Sequence, residues 1–192
     1  IRYCKHVIRS NGSDASKFLS EFPENDSRTA LLRLIGFFLG DGHARVNGRG
    51  RINGITFHLK KSRKIAYLKE VCLELGWELS EQANSSYVVI AKGLTYIFDN
   101  RFYSDDREKI LPKELTDLNI DDSLCLLDGL KNSDGAEHRS TWVYSTTSEK
   151  LAQSIQIVAL NAGIAAHISN EEYIVRVTML ARMTEPVINQ SK

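Results

Sequence analysis

Two aspartates close similar apolar segments at distant places in the chain. The run LLRLIGFFLGDG, residues 31–42, carries Asp41 between two glycines, and LCLLDGLKNSDG, residues 124–135, carries Asp134 between Ser133 and Gly135. A carboxylate at a helix C-terminus meets the negative end of the helix dipole, and two carboxylates brought together repel each other. A divalent cation would relieve both costs, so the pair raises the possibility of a metal site.

Mg²⁺ suits such a pair, because it is held by one or two carboxylates plus waters and phosphate oxygens. Paired Mg²⁺ sites support phosphodiester hydrolysis by activating water and stabilising the leaving oxygen. The backbone carbonyls of Gly40 and Ser133 are candidate further ligands. Alternatively, Asp-Gly is ordinary turn chemistry after a helix, and this would be the preferred interpretation of either pair alone. Two matched copies favour the metal site.

Glycines at matching positions accompany the aspartates. Gly36 and Gly129 each lie five residues before the acid of their own segment. A glycine inside an exposed helix costs about 1 kcal/mol relative to alanine. Two of them predict that the helices pack against each other where the side chains are missing. The helix ends would then emerge together, with Asp41 facing Asp134.

The two halves of the chain repeat one plan. Each half has an apolar helix ending in Asp-Gly, a strand-rich stretch, a second helix and two further strands, and the first half adds a short helix in LTYIFDNRFY. We predict an α+β fold of duplicated αββαββα lobes about a pseudo-two-fold axis, with two central packed helices. The predicted bounds are 28–103 for the first lobe, 104–120 for a surface linker, 121–192 for the second lobe and 1–27 for an N-terminal arm or remnant.

Helix boundaries follow from capping residues. Serines open the second helix of each half and glycines close it, and polar residues precede both apolar helices. The predicted N-caps are Ser62, Ser148, Asp26 or Ser27, and Asp121 or Asp122; the predicted stops are Gly76 and Gly163.

Composition restricts the class of protein. The chain has 192 residues, 42% hydrophobic content and a net charge of only +1, which fits a folded protein but does not identify a nucleic-acid binder. No apolar stretch is long enough to span a bilayer, and the N-terminus lacks the apolar core of a signal peptide. Three scattered cysteines favour buried thiols over disulfides or a metal site. We therefore expect an intracellular protein that is not associated with membranes.

One stretch is strongly basic. Residues 43–64 contain seven Lys or Arg and no Asp or Glu. Such a stretch is either a solvated hairpin face or a phosphate-binding strip, and the stretch alone does not decide between them.

The segments LIGFFLGDG and LDGLKNSDG resemble the signature of the LAGLIDADG homing endonucleases, and VYSTTSEKLAQSIQIVALNAGIAAHI is also typical of their second half. More specifically, the chain looks like the single-chain, two-motif type found inside inteins, over about residues 28–180. The resemblance implies two saddle-shaped antiparallel sheets that straddle DNA, and Mg²⁺-dependent cleavage of both strands of double-stranded DNA by a monomer at a long site. It matches Asp41 and Asp134 to the catalytic acids. Lys109, in KILP, matches a lysine that commonly precedes the second motif and is a catalytic candidate for stabilising charge or organising water, although a solvated linker lysine is an equal alternative.

DNA contacts are expected on the strands. The basic stretch is typical of a two-stranded ribbon that fits the major groove, with a turn at residues 47–50. In the second half, aromatic residues on the strands could instead belong to the core. The candidates are Arg45, Arg49, Arg51, His58 and Lys60 for base or phosphate contact; Lys61, Arg63 and Lys64 as phosphate anchors; and Arg139, Trp142, Tyr144, Thr146, Thr147 and Arg176 in the second half. Because the halves differ chemically, we expect a non-palindromic target.

Two departures from the pattern qualify the resemblance. Residue 1 is Ile1 and the chain ends in VINQSK, so we expect no protein splicing. Asp128 stands where the second motif has a small residue, which predicts a looser or partly hydrated helix interface. A maturase or regulator that binds nucleic acid without cutting is the alternative function, and a plain interaction protein is a more distant one.

Overall fold

A computed structural model of the chain describes residues 13–44, 54–138, 141–171 and 174–182. Its helices are α1 (Ser13–Leu19), α2 (Arg28–Asp41), α3 (Ser62–Leu75), α4 (Leu94–Arg101), α5 (Ile120–Asp134) and α6 (Glu149–Asn161), with a 3₁₀ turn at Lys113–Thr116. Its strands are β1 (Gly42–His43), β2 (Gly54–His58), β3 (Glu78–Gln82), β4 (Ser86–Ile90), β5 (Ala136–His138), β6 (Thr141–Thr146), β7 (Ile164–Glu171) and β8 (Ile174–Arg182).

The strands form two antiparallel sheets with the same topology. The first has the order β1-β2-β4-β3 and the second the order β5-β6-β8-β7. In each half of the chain, a central helix precedes the first strand. A second helix follows the second strand and precedes the third in sequence. The predicted α+β fold of two duplicated lobes is confirmed, and α4 closes the first lobe as expected.

The central helices begin at polar caps. Ser27 caps α2, because its hydroxyl accepts a hydrogen bond from the backbone N–H of Ala30 at 3.2 Å. Asn119 caps α5 by accepting from the N–H of Asp122 at 2.9 Å. The prediction of Asp121 or Asp122 as this cap was therefore wrong by two or three residues. The Asp122 carboxylate instead forms an ion pair with Arg28 at 2.7 Å, which ties the starts of the two helices together.

The two helices touch backbone to backbone at their glycines. A Cβ atom on Gly36 would overlap the carbonyl oxygen of Leu126, and one on Gly129 would overlap the carbonyl oxygen of Arg33. A Cβ atom on Gly40 would likewise overlap the hydroxyl of Ser133. The predicted close packing at Gly36 and Gly129 is confirmed, and it brings the C-terminal ends of α2 and α5 together.

The flanking helices α3 and α6 begin at only one of the two predicted serine caps. Ser148 caps α6 by accepting from the N–H of Leu151 at 3.3 Å. Ser62, however, is already the first residue of α3, and the preceding Lys61 occupies the cap position without a side-chain bond. Gly76 ends α3 at a φ of 67°, as predicted, and Gly163 follows α6 at a φ of 72°.

Two segments outside the repeat contribute to the core. Phe18 and Phe22, near α1, are almost fully buried and pack against Phe102 and Phe98. The segment predicted as a surface linker contains three buried leucines, namely Leu111, Leu115 and Leu118. Both segments therefore belong to the folded unit because their apolar side chains fill its core. Among the described residues, no helix is long and apolar enough to cross a bilayer.

Candidate active site between the two central helices

The two aspartates share one ammonium group. Lys64, on the first turn of α3, donates to both carboxylate oxygens of Asp41, at 2.9 and 2.6 Å, and to Oδ1 of Asp134 at 3.1 Å. The side chains of Lys64 and Asp41 are only 9% and 15% exposed, whereas Asp134 is 47% exposed. The predicted convergence of Asp41 and Asp134 is thus present, with Asp41 enclosed and Asp134 open to solvent.

Electrostatics at Asp41 disfavour its charged form. Burial raises the pKa of the Asp41 carboxyl above its ordinary value, and the neighbouring Asp134 charge adds to the rise. The Lys64 ammonium opposes the shift through its hydrogen bonds and its charge. Additional positive charge near this carboxylate would therefore stabilise its ionised form.

Lys109 lies against the end of α2. Its ammonium donates to the carbonyl oxygens of Phe38, Leu39 and Gly40 at 2.9, 3.1 and 2.9 Å. The Phe38 carbonyl also accepts the backbone N–H of Gly42, whereas those of Leu39 and Gly40 lie beyond the last backbone hydrogen bond of the helix, so the lysine satisfies them and complements the helix dipole. Burial lowers the pKa of Lys109 to about 8, against the opposing influence of Asp134 and Asp41. Lys109 is therefore a half-buried part of the site and not a solvated linker lysine.

A second cation contacts the end of α5. The guanidinium of Arg63, next to Lys64 in α3, donates to the carbonyl oxygen of Asn132 at 3.0 Å. Both motif helices thus end against a positively charged side chain. This contact uses one nitrogen of an exposed guanidinium that has five N–H donors, so the role of Arg63 as a phosphate anchor stays a prediction.

The donor set fits a divalent cation of the Mg²⁺ type. Two carboxylates already converge on one positively charged nitrogen, which stands where a shared ion would bind. Among the described residues, no cluster of three or more His, Cys, Asp or Glu side chains surrounds such a point. Waters and phosphate oxygens would have to complete the shell, which Mg²⁺ accepts. The Gly40 carbonyl, one of the two predicted backbone ligands, accepts a hydrogen bond from Lys109 at 2.9 Å, and the Ser133 carbonyl stays a predicted ligand.

A cleft of about 670 Å³ opens beside the aspartates. Asp134 and Lys109 line it together with His43, and residues 144–148 form part of its wall. Thr146 and Thr147, both candidate DNA contacts, lie on this wall. The cleft therefore gives solvent access to Asp134, and this is where an extended polyanion could reach the site.

The face of strand β6 that carries Trp142 and Tyr144 points toward the core, whereas these residues were predicted as DNA contacts. Tyr144 is almost fully buried, and its hydroxyl donates to the carbonyl oxygen of Leu39 at 3.1 Å. Trp142 has the same parity along the strand and packs partly buried against the core. Tyr144 is therefore misassigned as a DNA contact, because its ring fills the core and its hydroxyl is used at the end of α2. The exposed residue is Ser145, whose cross-strand partner on β8 is Arg176.

The remaining candidates divide into exposed and undescribed residues. His58, Lys60 and Lys61 are exposed between β2 and the start of α3. The candidates Arg45, Arg49, Arg51 and Arg139, and the predicted turn at 47–50, lie outside the described residues. The exposed group remains a prediction for DNA contact.

Lys64 is the site residue that sequence reasoning misplaced. Within a run of cations it was assigned to solvent as a phosphate anchor, yet its side chain is buried against the aspartates. A signal was present, because Lys64 lies four residues before Leu68 and seven before Val71, which are buried on the same helix. Helical spacing thus places Lys64 on the inward stripe of α3.

Comparisons with known proteins support the fold. No protein-family profile matches the chain, and no curated protein matches it. The mesophilic variants of the homing endonuclease I-DmoI superpose with a TM-score of 0.56 at 14% identity, over 80% of this chain and 89% of theirs. I-DmoI in complex with DNA and Mn gives 0.57 at 14% identity, over 79% and 89%. The N-terminal LAGLIDADG domain of DUF199/WhiA gives 0.52 at 13% identity, over 94% and 89%.

These similarities establish a LAGLIDADG fold for this chain. Identities of this size carry the fold and no more, and they do not extend to the intein-encoded type. An intein origin therefore stays a prediction from the sequence.

Proposed function

We propose that this protein is a Mg²⁺-dependent DNA endonuclease that acts as a monomer on double-stranded DNA. The observation that carries the proposal is the convergence of Asp41 and Asp134 on a single cationic position at the adjoining ends of α2 and α5. The homing endonuclease I-DmoI, which is similar in fold, has been solved with DNA together with Mn, Ca or Mg. Because one chain supplies both acids, no second copy is needed to complete the pair.

The chain's residues have distinct tasks in this proposal. Asp41 and Asp134 hold the divalent ion, which when bound would activate water and stabilise the leaving oxygen. Lys109 fixes the carbonyls that precede Asp41, so the end of α2 keeps its geometry. Asp134, which is half exposed and lines the cleft, offers the approach for a scissile phosphate.

The surface that meets DNA is proposed from exposure and charge. Lys60 and Lys61 precede α3 in the first lobe, and Ser145 pairs with Arg176 in the second sheet. Thr147 is exposed and lines the cleft beside Asp134. The two contributions differ in chemistry, which supports a non-palindromic target.

Cleavage is tested with a randomised duplex library in Mg²⁺, followed by sequencing of the cut ends. We expect Asp41→Asn and Asp134→Asn each to abolish double-strand cleavage while the protein still binds the recovered target. The matched control is Asp121→Asn, which removes an exposed carboxylate from the opposite end of α5 and should cut normally. Undiminished cutting by both site variants would reject the proposal.

Phosphate contact is tested by salt dependence. Neutralising Lys60 and Lys61 with glutamine should reduce the slope of log affinity against log salt by about 0.9 for each lost contact. Lys113→Gln, which removes an exposed charge on the 3₁₀ turn, serves as the control and should leave the slope unchanged. Identical slopes for all three proteins would remove Lys60 and Lys61 from the proposed DNA surface.

A non-cleaving DNA- or RNA-binding protein of the same fold is the second candidate. The observation that favours it is Lys64, because its ammonium already neutralises part of the aspartate pair without a metal. Under this alternative the native protein would bind nucleic acid but leave every duplex intact in Mg²⁺ or Mn²⁺.

A further inference from the structure

The ammonium of Lys64 makes three hydrogen bonds, all of them to the two aspartates. An ammonium has three N–H donors, and the three short contacts of Lys64 go to Asp41 Oδ1, Asp41 Oδ2 and Asp134 Oδ1. The side chain is 9% exposed, so water replaces few of these contacts. Lys64 therefore acts as a bound cation supplied by the protein itself.

A divalent ion held by the same two carboxylates would need the same space. The oxygens that face Lys64 are the ones that an ion shared by Asp41 and Asp134 would use. An ammonium and a dication at one position would also repel each other at short range. Occupation by Lys64 and by a shared divalent ion is therefore mutually exclusive.

We propose that Lys64 is an internal counter-ion that competes with the divalent ion for Asp41 and Asp134 and is released onto a DNA phosphate. This inference rests on the proposed function, since it assigns regulation to the same site. It makes the DNA-free protein a weak metal binder and couples metal binding to DNA binding. The coupling is reciprocal, so metal would also tighten DNA binding.

The surroundings of Lys64 supply a route for its release. It follows the exposed residues Lys60, Lys61 and Arg63, which are positioned to draw a phosphate backbone toward the start of α3. A lysine carries its charge on a flexible four-carbon stem, so the ammonium can change partner while the helix stays in place. A phosphate at the start of α3 would give Lys64 an anionic partner in exchange for the aspartates.

The second half of the chain provides a matched control. Lys64 lies in the first turn of α3, and Lys150 lies in the first turn of α6. Lys150 is exposed, and no contact of its side chain to either aspartate is present among the described residues. A change at Lys150 thus removes the same charge from a helix start without touching the acid pair.

The test is a calorimetric titration of Ca²⁺ and of Mn²⁺ into EDTA-stripped protein without DNA. We expect Lys64→Met to bind each ion on the order of tenfold more tightly than the native protein, because an adjacent positive charge is lost. Lys150→Met should match the native protein. Equal or weaker metal binding by Lys64→Met, or no binding by either protein, overturns the proposal.

Further variants keep the test decisive. If Lys64→Met does not fold, Lys64→Gln takes its place, because its amide still donates to a carboxylate without carrying charge. Lys64→Arg retains the charge and should retain weak metal binding. Adding a mixed-sequence duplex should tighten Ca²⁺ binding more in the native protein than in the neutral variant, and equal tightening contradicts release onto DNA.

The outcomes separate this inference from the proposed function. Cleavage that depends on Asp41, together with unchanged metal affinity in Lys64→Met, would reject the counter-ion and keep the endonuclease. Tighter metal binding in Lys64→Met, without cleavage of any duplex, would keep the counter-ion and reject the endonuclease.

Discussion

Gly36 and Gly129 face each other where α2 and α5 cross, and neither position has room for a side chain. A Cβ atom on Gly36 would also come within 3.1 Å of the Cα atom of Gly129 and within 2.9 Å of the backbone nitrogen of Leu130. These neighbours are backbone atoms, which cannot rotate away as a side chain would. The approach of the two helices, and with it the distance between the acids, is therefore set by these glycines.

Gly36→Ala and Gly129→Ala should each destabilise the protein. Alanine is the better helix former by about 1 kcal/mol, but relief of the overlap requires the helices to separate, at a cost of roughly 1–3 kcal/mol or more. Urea denaturation of each variant measures the change. Leu73→Ala, which alters an 82% exposed side chain on α3, is the control and should change stability by about 0.5 kcal/mol or less. Stability equal to that of the native protein in both glycine variants would contradict the packing.

Local patterns made the scaffold predictable from the sequence. The apolar runs before Asp41 and Asp134 and the glycines within them specify two buried helices, and the repeat specifies their equivalence. The site was less predictable, since its contacts join residues far apart in the chain. Lys109 and Gly40 are 69 residues apart, and nothing local to KILP shows that the end of α2 lies against it.

Strand faces were harder to assign for a related reason. Alternation shows that β6 has two faces but not which one meets the core. Alternation makes Tyr144 a candidate for DNA contact with the core as the competing interpretation, and its contact with Leu39 shows that it points inward. The Lys64 error is different, because helical spacing with Leu68 could have corrected it.

Tyr144→Phe should reduce stability without changing DNA affinity. The substitution keeps the buried ring and removes one hydrogen bond to the carbonyl of Leu39. Lys109 also donates to that carbonyl, so it is not left without a partner, and we expect a loss of about 1 kcal/mol. Thermal and urea unfolding measure this loss. Thr147→Val, at the exposed wall of the cleft, should show the opposite behaviour, with lower DNA affinity and nearly native stability. A large fall in DNA affinity for Tyr144→Phe alone would restore the original assignment.

Asp128, on α5, connects the central helices to α3. Its contacts explain why a carboxylate stands where the motif has a small residue. Its Oδ2 accepts from the hydroxyl of Tyr67 at 2.7 Å and from Nε of Arg33 at 3.2 Å. Arg33 also pairs with Glu70 and Glu74 on α3. The helix interface at this point is thus a connected polar network and not a loose contact, and the 46% exposure of Asp128 leaves it partly open to water, as the sequence predicts.

A double-mutant cycle should detect this network. Asp128→Ala and Tyr67→Phe are each expected to destabilise the protein, and the double variant should lose less than the sum of the two. We expect a coupling energy of about 0.5–1.5 kcal/mol, since Asp128 is 46% exposed and its charge is partly screened by solvent. The cycle is measured by urea denaturation. Glu81, whose side chain is 63% exposed, contacts Tyr87 at 3.2 Å and forms with it a comparison pair that should couple weakly. Strict additivity for Asp128 and Tyr67 would show that the network does not act as a unit.

Lys109 should give the metal-free protein a distinctive pH dependence. Its pKa is about 8 in the folded state and 10.5 as the ordinary value, so between these limits the unfolded chain binds more protons than the folded one. Stability therefore rises with pH across this window, and the gain is lost again as the pH falls toward 8.

Because Lys109→Met has no proton to release, subtracting its stability from that of the native protein isolates the effect from other groups that titrate nearby. We expect this difference, measured by urea denaturation in EDTA, to increase from pH 8 to pH 10.5 by on the order of 3 kcal/mol at most. Lys113→Met, which changes an exposed lysine, should give a flat difference. A flat difference for Lys109→Met as well would mean that this ammonium is not desolvated against the carbonyls of Phe38 and Gly40.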